Sequence, residues 1–308
     1  MRTVLVTGGT GSFGQAFVRH LLDTTDSLVR VFSRDEQKQD RMKREVNDAR
    51  VRYLLGDVRD AARTKRAMRG CDLVVHAAAL KIIPAGEYNP DEVVRTNING
   101  SENVINAAID TGVAKVICIS SDKAVAPVNL YGATKMCMER LAVLANQYSR
   151  DTAISVVRYG NVIGSRGSIL TMLREQVRNG GLRITHSDMT RFWMTLPQAC
   201  QFVWSAQAHM QGGEIYIPKL PSAYVLDLCH TLHPDAPVGF TGLRNGEKMH
   251  EVLSNGFEVV HDDGWAYTVR EGEWEPNGKV ISSAAWPTPA AQLLAMPEFA
   301  QEVARAAA

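Results

Sequence analysis

Short apolar runs alternate with amphipathic stretches along the first half of the chain. Runs at 3–6 (Thr-Val-Leu-Val), 28–32 (Leu-Val-Arg-Val-Phe), 51–55, 73–76, 114–120 and 154–159 have the length of strands and are rich in Val, Ile and Leu. Between the first two, Ala16, Phe17, Leu21 and Leu22 predict a helix over 15–22, and further helices are predicted near 91–111 and from Tyr131 onward. Strands alternating with helices in this way predict an α/β fold built on a doubly wound parallel sheet. After residue 160 the rhythm loosens into loops bearing glycine and proline, with a helix predicted at 198–209 and a strand at 213–217. The organisation expected is a first domain over 1–160, to which 190–219 returns. Segments 161–189 and 220–308 then form a smaller carboxy-terminal domain, closing over the sheet edge where ligands bind in such folds.

The first strand runs into Thr7-Gly8-Gly9-Thr10-Gly11-Ser12-Phe13-Gly14, and the first helix follows. Strand, glycine turn and helix in that order make a dinucleotide-binding arrangement. The glycines let the backbone turn tightly and approach a pyrophosphate, whose charge sits at the helix amino terminus. The second strand ends in Ser33-Arg34-Asp35-Glu36-Gln37-Lys38. An acid at that tip bonds the ribose hydroxyls of NAD, whereas the hydroxyl and cations of Ser33, Arg34 and Lys38 suit a 2′-phosphate and favour NADP. Asp57 and Val58, after the third strand, fall where adenine contacts are expected. Ala77, Ala78 and Ala79 follow the fourth, small enough for close packing against a cofactor.

Ser121, Asp122 and Lys123 stand at the end of the fifth strand, and Tyr131 and Lys135 follow soon after. Tyr131 and Lys135 are four residues apart, on one face of the predicted helix. An ammonium held there is expected to favour the phenolate and lower the tyrosine pKa.

Bulk composition narrows the partners. The chain has 308 residues, a formal charge of +1 and 22% charged residues, so no field points to nucleic acid or a membrane surface. No apolar run reaches the ~20 residues that span a bilayer, and no leader-like segment precedes the first strand. Five cysteines are scattered without a CxxC pair, which suits a reducing, cytoplasmic setting. Cys229, His230 and His233 lack a second ligand cluster, so no metal is expected.

With these residues in hand, the chain resembles the extended short-chain dehydrogenase/reductases, and within them the inverting UDP-N-acetylglucosamine 4,6-dehydratases. The resemblance spans about 4–251. It is carried by TGGTGSFG at 7–14, SRDEQKQ at 33–39, GDVRD at 56–60, HAAALK at 76–81, SSDKA at 120–124 and NLYGATK at 129–135. RYGNVIGSRGS at 158–168, MTRFWMTL at 189–196 and GLRNGEKMHE at 242–251 continue it. Configuration-retaining dehydratases carry Asp-Glu where this chain has Asp122-Lys123.

The resemblance implies a Rossmann-type domain binding NADP through the glycine turn, Ser33, Arg34, Lys38, Asp57, Val58, the three alanines, Thr96, Tyr131 and Lys135. It implies a UDP-sugar held by Lys81, Asn161, Arg166, Arg191, Arg244 and Glu247, and a homo-oligomer, dimeric or hexameric. Tyr131 would take the proton of the carbon 4 hydroxyl, which Ser121 orients, and Lys135 would bond the nicotinamide ribose. Lys123, kept neutral by a depressed pKa, would take the carbon 5 proton, and Asp122 would assist loss of the carbon 6 hydroxyl. The division of proton steps between Asp122 and Lys123 is open from sequence. Two alternatives remain at this point: a UDP-sugar 4- or 5-epimerase on the same scaffold, and a non-catalytic NADP-binding regulator. The pattern departs from the family at Asn245, where proline is usual, and over 280–286, where a Tyr-x-Ser-x-x-Asn-like segment is usual.

Overall fold

The computed structural model describes residues 1–167, 169–274, 279–285, 287–297 and 299–301. Ser168 at the end of the RYGNVIGSRGS segment, Trp286 and the alanine tail lie outside the described residues. In chain order the first strands are β1 (Thr3–Thr7), β2 (Leu28–Ser33), β3 (Val51–Leu55), β4 (Leu73–His76), β5 (Lys115–Ser121) and β6 (Ala153–Tyr159). They are followed by β7 (Asn161–Ile163), β8 (Leu182–Ile184), β9 (Thr190–Thr195), β10 (Glu214–Pro218) and β11 (Ser222–Tyr224). The last are β12 (Val238–Phe240), β13 (Val252–Ser254), β14 (Glu258–Asp262), β15 (Ala266–Trp274) and β16 (Ile281–Ser282).

Among the described residues the main sheet has nine strands in the order β14-β15-β10-β6-β5-β4-β1-β2-β3. From β10 to β3 the pairs are parallel, with Val4 opposite both Val29 and Leu73, and Ser121 opposite Tyr159. Strand order reverses between β1 and β4, so their carboxyl ends open a crevice at the point where such sheets bind ligands. Both faces are covered, which is why the strands read as nearly unbroken apolar runs. Helices Ser12–Thr24 and Leu196–His209 set Phe17, Leu21, Ala199 and Val203 against one face. Helices Ala61–Met68, Gly100–Thr111 and Leu130–Leu144 set Met68, Val104, Ile105 and Met138 against the other. Each fully buried Leu, Ile or Phe here contributes roughly 1.5–3 kcal/mol of transfer free energy.

A separate apolar cluster gathers Ile163, Leu182, Trp193, Leu228, Leu293 and Phe299, beside the three-stranded sheet β11-β9-β7. One expectation is corrected. Residues 258–274 were expected in the smaller carboxy-terminal domain, but β14 and β15 join the main sheet, β15 pairing antiparallel with β10. An antiparallel hairpin gives no crossover helix, so the alternation that marks the rest of the sheet stops there.

The helix predicted near 91–111 is continuous but not uniform. Pro90–Val94 is α-helical, Arg95–Asn99 widens into a π-helical turn, and Gly100–Thr111 resumes the α-helix. The wide turn presents buried Asn97 sideways. Its amide oxygen accepts from the Leu80 N–H at 2.8 Å, and its amide nitrogen donates to the Leu80 carbonyl at 2.9 Å and to Thr134 Oγ1 at 3.1 Å. The loop after β4 and the helix Leu130–Leu144 are tied through this one side chain.

A buried ionic knot fastens β6 to its neighbours. Arg158, 2% exposed, donates to Glu139 at 2.9 and 2.7 Å and to Glu258 at 3.1 and 2.9 Å. Its remaining reach goes to the Leu253 carbonyl at 2.8 Å. Breaking such a buried pair strands a charge in low dielectric, so Arg158→Ala is expected to cost about 3–5 kcal/mol in denaturant unfolding. A change within about 0.5 kcal/mol, the range of an exposed site, contradicts that reading.

Candidate active site

The glycine turn is shaped by close approach. Gly8 has φ +66°, and a Cβ there would stand 2.8 Å from the Ala78 nitrogen. A Cβ on Gly14 would meet the Gly8 carbonyl oxygen at 2.5 Å. Side chains at either position would part β1 from the loop after β4, or lift the helix off the turn. Gly11 caps helix Ser12–Thr24 without a side-chain acceptor, so the first-turn amides depend on another partner. A cradle that admits only glycine, facing open helix amides, fits a pyrophosphate.

Behind the turn, His76 is buried between Thr7 and Ser101, with Nδ1 2.7 Å from Thr7 Oγ1 and Nε2 2.9 Å from Ser101 Oγ. The Ser101 hydroxyl donates to the Asn97 carbonyl at 2.6 Å, so it accepts from His76 Nε2–H, and Nδ1 accepts from Thr7. Burial, reinforced by Lys135, drops the His76 pKa to about 3 and keeps the ring neutral.

The catalytic candidates are set by one helix start. Asn129 caps Leu130–Leu144 by accepting from the Gly132 N–H at 2.8 Å, while Glu87 accepts from the Leu130 N–H at 2.7 Å. Gly132 lies against the 122–124 loop so closely that a Cβ would be 2.2 Å from the Lys123 carbonyl oxygen. This contact brings Tyr131 and Lys135 beside Ser121, Asp122 and Lys123. A cavity of about 570 Å³ is lined by Gly8, Gly11, Ser12, Phe13, Gly14, Ala77, Ala79, Lys81, Ser121, Lys123, Tyr131, Lys135, Asn161 and Arg166. All of these are expected from the sequence; Ile82, Tyr159 and Leu196 are among the further lining residues that are not.

Other expected residues stand outside that wall. Asp122 is fully buried behind it. Ser121 Oγ donates to Asp122 Oδ1 at 2.8 Å, Lys123 Nζ donates to the same oxygen at 3.0 Å, and Oδ2 has no hydrogen-bond partner among the described residues. Thr10 contributes its carbonyl, which accepts from Arg166 at 2.6 Å. Ser33 and Arg34 are at the carboxyl tip of β2, with Arg34 Nη1 3.6 Å from Asp57 Oδ2. Lys38 pairs with Asp35, the residue that caps the next helix. Burial works to raise the Asp57 pKa, but hydrogen bonds from the Arg59 side chain and backbone hold it below the usual range. Val58 and Thr96 are buried, and Ala78 packs on the turn at Gly8. Arg244 is exposed, and Glu247 accepts weakly from Thr185 at 3.5 Å.

Two electrostatic expectations are corrected. Lys123 does not have a depressed pKa: burial pushes it down, but Asp122 and Glu251 outweigh that and hold it above the ordinary lysine range. Lys135 does not act on the phenol here. Its Nζ donates to the Ile119 carbonyl at 2.7 Å, and burial raises the Tyr131 pKa, helped by Asp122 and opposed by Lys123 and Ser121. Burial brings Lys135 itself down to about 8. Arg191, expected on the phosphates, is turned to backbone carbonyls in this structure. It is buried, and donates to the carbonyls of Thr190 at 2.7 Å, Lys248 at 3.0 Å and Met249 at 3.1 Å. Lys81 is exposed, and partial desolvation, then the cations of Arg166 and Lys123, lower its pKa.

Glu251 is the carboxylate that sequence reasoning missed. It is the last residue of the GLRNGEKMHE segment, which was read for Arg244 and Glu247 alone. Its Oε1 lies 3.4 Å from Lys123 Nζ.

A glycine cradle at the switch point of a doubly wound sheet, with a Tyr-x-x-x-Lys helix across the crevice, defines an extended short-chain dehydrogenase/reductase, and crystal structures sharing this fold hold NAD. The chain belongs to the polysaccharide biosynthesis protein family, whose family model matches residues 4–269. It is 46% identical over 257 residues to a UDP-N-acetylglucosamine 4,6-dehydratase (inverting) of Campylobacter jejuni, covering 82% of this chain and 77% of that one. It is 41% identical over 273 residues to a UDP-glucose 4-epimerase of Rickettsia felis, covering 85% and 80%. The crystal structure of Pen from Bacillus thuringiensis superposes with a TM-score of 0.88 at 35% identity, covering 95% of each chain. No helix among the described residues is long and apolar enough to cross a membrane.

Gly132→Ala is expected to separate the helix start from the 122–124 loop. Turnover should fall roughly 10²-fold, as displacement of a reacting group by about 1 Å does, while the circular dichroism stays native. Unchanged turnover contradicts the contact's role.

Proposed function

We propose that this protein is a UDP-N-acetylglucosamine 4,6-dehydratase of the configuration-inverting type, using NADP. The observation that carries the reading is the meeting, at one cavity facing the glycine turn, of Tyr131 with Lys123, which pairs with Asp122 behind the wall. The inverting relative at 46% identity supports it, as does lysine at 123, where retaining dehydratases have glutamate.

Gly8, Gly11, Ser12 and Gly14 would hold the pyrophosphate, and Ser33 and Arg34 would take the 2′-phosphate, with Lys38 beside them. Ala77 and Ala79 leave room for the rings. A nicotinamide bound there would supply the hydride chemistry, acceptance and later return. Lys81, Asn161 and Arg166, on the cavity wall, face the sugar nucleotide; cations suit its diphosphate.

Tyr131 takes the proton of the carbon 4 hydroxyl, and Ser121 orients that hydroxyl. Below about pH 8 Lys135 carries its charge, and turning it from the Ile119 carbonyl to the site would stabilise the phenolate. The ketone at carbon 4 acidifies the carbon 5 hydrogen. Loss of water then requires one group to take that proton and another to give one to the carbon 6 oxygen. Lys123 is an ammonium in the substrate-free protein, so it is assigned the donor step; the acceptor step falls to the Asp122 carboxylate behind the wall, reached through Ser121 Oγ, which lines the cavity and passes its own proton to Asp122 as it takes the one from carbon 5. That reverses the division expected from sequence. Proton count on the pair is unchanged across the step.

A second reading, a UDP-sugar 4-epimerase, is favoured by the Rickettsia relative. It uses Tyr131 and Lys135 but eliminates nothing. Incubation with UDP-N-acetylglucosamine in deuterated water separates the two: dehydration gives a product lighter by one water with deuterium at carbon 5, and epimerisation gives an isomer of unchanged mass. Tyr131→Phe should lower kcat by about 10²–10⁴-fold. Asp122→Asn should lose exchange at carbon 5, whereas Lys123→Met should keep exchange and lose dehydration; the opposite pattern overturns the assignment. Arg34→Ala should weaken NADP but not NAD by about tenfold, the worth of one charge-assisted hydrogen bond, measured by cofactor titration.

A further inference from the structure

The Asp122–Lys123 pair is one half of a longer arrangement. Lys123 Nζ lies 3.0 Å from Asp122 Oδ1, 3.4 Å from Glu251 Oε1 and 3.4 Å from Asn161 Oδ1. On the far side, Glu251 Oε2 is 3.4 Å from Lys248 Nζ, and Lys248 donates to the Val125 carbonyl at 2.7 Å. Carboxylate, ammonium, carboxylate and ammonium thus alternate from the catalytic loop into the 244–251 segment.

Glu251 is anchored as few surface carboxylates are. It is 3% exposed. Its N–H donates to Ser283 Oγ at 2.9 Å, and its carbonyl accepts from the Ser283 N–H at 2.8 Å. Ser283 Oγ in turn lies 2.8 Å from Thr190 Oγ1. The segment before it is held by Arg191 on the Lys248 and Met249 carbonyls and by Asn129 Nδ2 on the Gly246 carbonyl at 2.8 Å. A carboxylate on so fixed a backbone, aimed at the one lysine on the cavity wall that pairs with Asp122, has a more specific use than filling space.

We propose that Glu251 is a positioning residue for the dehydration. It fixes Lys123 at the cavity wall and holds it as the ammonium, so that Lys123 meets the sugar as a proton donor. This rests on the dehydratase reading above. The other charged or titratable groups around Lys123 are Arg191 from β9, Lys248 beyond Glu251, Lys81 from the loop after β4, and Tyr131 from the helix. Three of these four are cations and oppose its charge. Among the described residues the two carboxylates favour it, so taking one away should let the amine lose its proton more readily.

Two measurements test this in the NADP-loaded enzyme. The first is NMR titration of lysines labelled with ¹³C at Cε, Lys123 being assigned with Lys123→Arg. Without substrate, the wild-type Lys123 signal should stay that of an ammonium past the midpoint of ordinary lysines, and Glu251→Gln should move its midpoint to lower pH. The second is the pH profile of kcat for loss of water. In Glu251→Gln the alkaline limb should move to lower pH and kcat should fall by roughly up to 10²-fold, with KM changed far less. Glu251→Asp should restore part of both. A Lys123 midpoint unmoved in Glu251→Gln, or a lysine already neutral in the wild type, overturns the proposal. If Glu251→Gln does not fold, Glu251→Asp decides: loss of kcat with an unmoved Lys123 midpoint overturns it. Should the wild type release no dehydrated product, the dehydratase reading fails, and the NMR titration still decides whether Glu251 governs Lys123.

Discussion

The site depends on one steric contact, the seat of Gly132 on the carbonyl of Lys123. No residue with a side chain fits that gap, since a Cβ would lie 2.2 Å from the oxygen. The start of helix Leu130–Leu144 is therefore pressed on the loop that ends β5, and the phenol, the serine and two lysines share one volume, with the acid directly behind its wall. Capping by Asn129 and Glu87 holds the helix start in place, and the Arg158–Glu139 pair holds its middle against β6. Catalytic placement and fold stability are carried by the same helix. Its buried face accordingly mixes Lys135 and Glu139 with Met138 and Ala142.

Much of this was legible in the residues. The strands were visible because both faces of the sheet are covered, leaving β4, β5 and β6 almost wholly buried and apolar. The glycine turn was legible because close approach excludes all other residue types. What escaped was non-local. The antiparallel β14–β15 pair has no crossover helix to announce it, and its pairing is decided by partners distant in sequence, such as Arg158 with Glu258. The clamp formed by Asn97 depends on a π-helical turn that no periodicity marks.

Charge states were the least legible part. From spacing alone, Lys135 belongs beside Tyr131, and the family resemblance makes Lys123 a neutral amine awaiting a proton. The structure sends Lys135 to the Ile119 carbonyl and gives Lys123 two carboxylates, one of them 128 positions downstream at Glu251. A pKa depends on every charge within several ångströms, and chain position predicts only the nearest of those. Arg191 gives the same lesson: a guanidinium in a ligand-lining segment can be spent on backbone carbonyls.

The Asn97 side chain treats Leu80 as a neighbouring strand would, meeting its N–H and its C=O with one amide, and the same amide reaches Thr134. Loop and helix are consequently a single mechanical unit. Exchanging the 77–83 loop for that of another member, in order to alter which ligand the crevice accepts, would leave a buried amide stranded unless the π-turn and the helix were transplanted with it. Natural or laboratory diversification at this wall should thus proceed by blocks drawn from three distant stretches of chain.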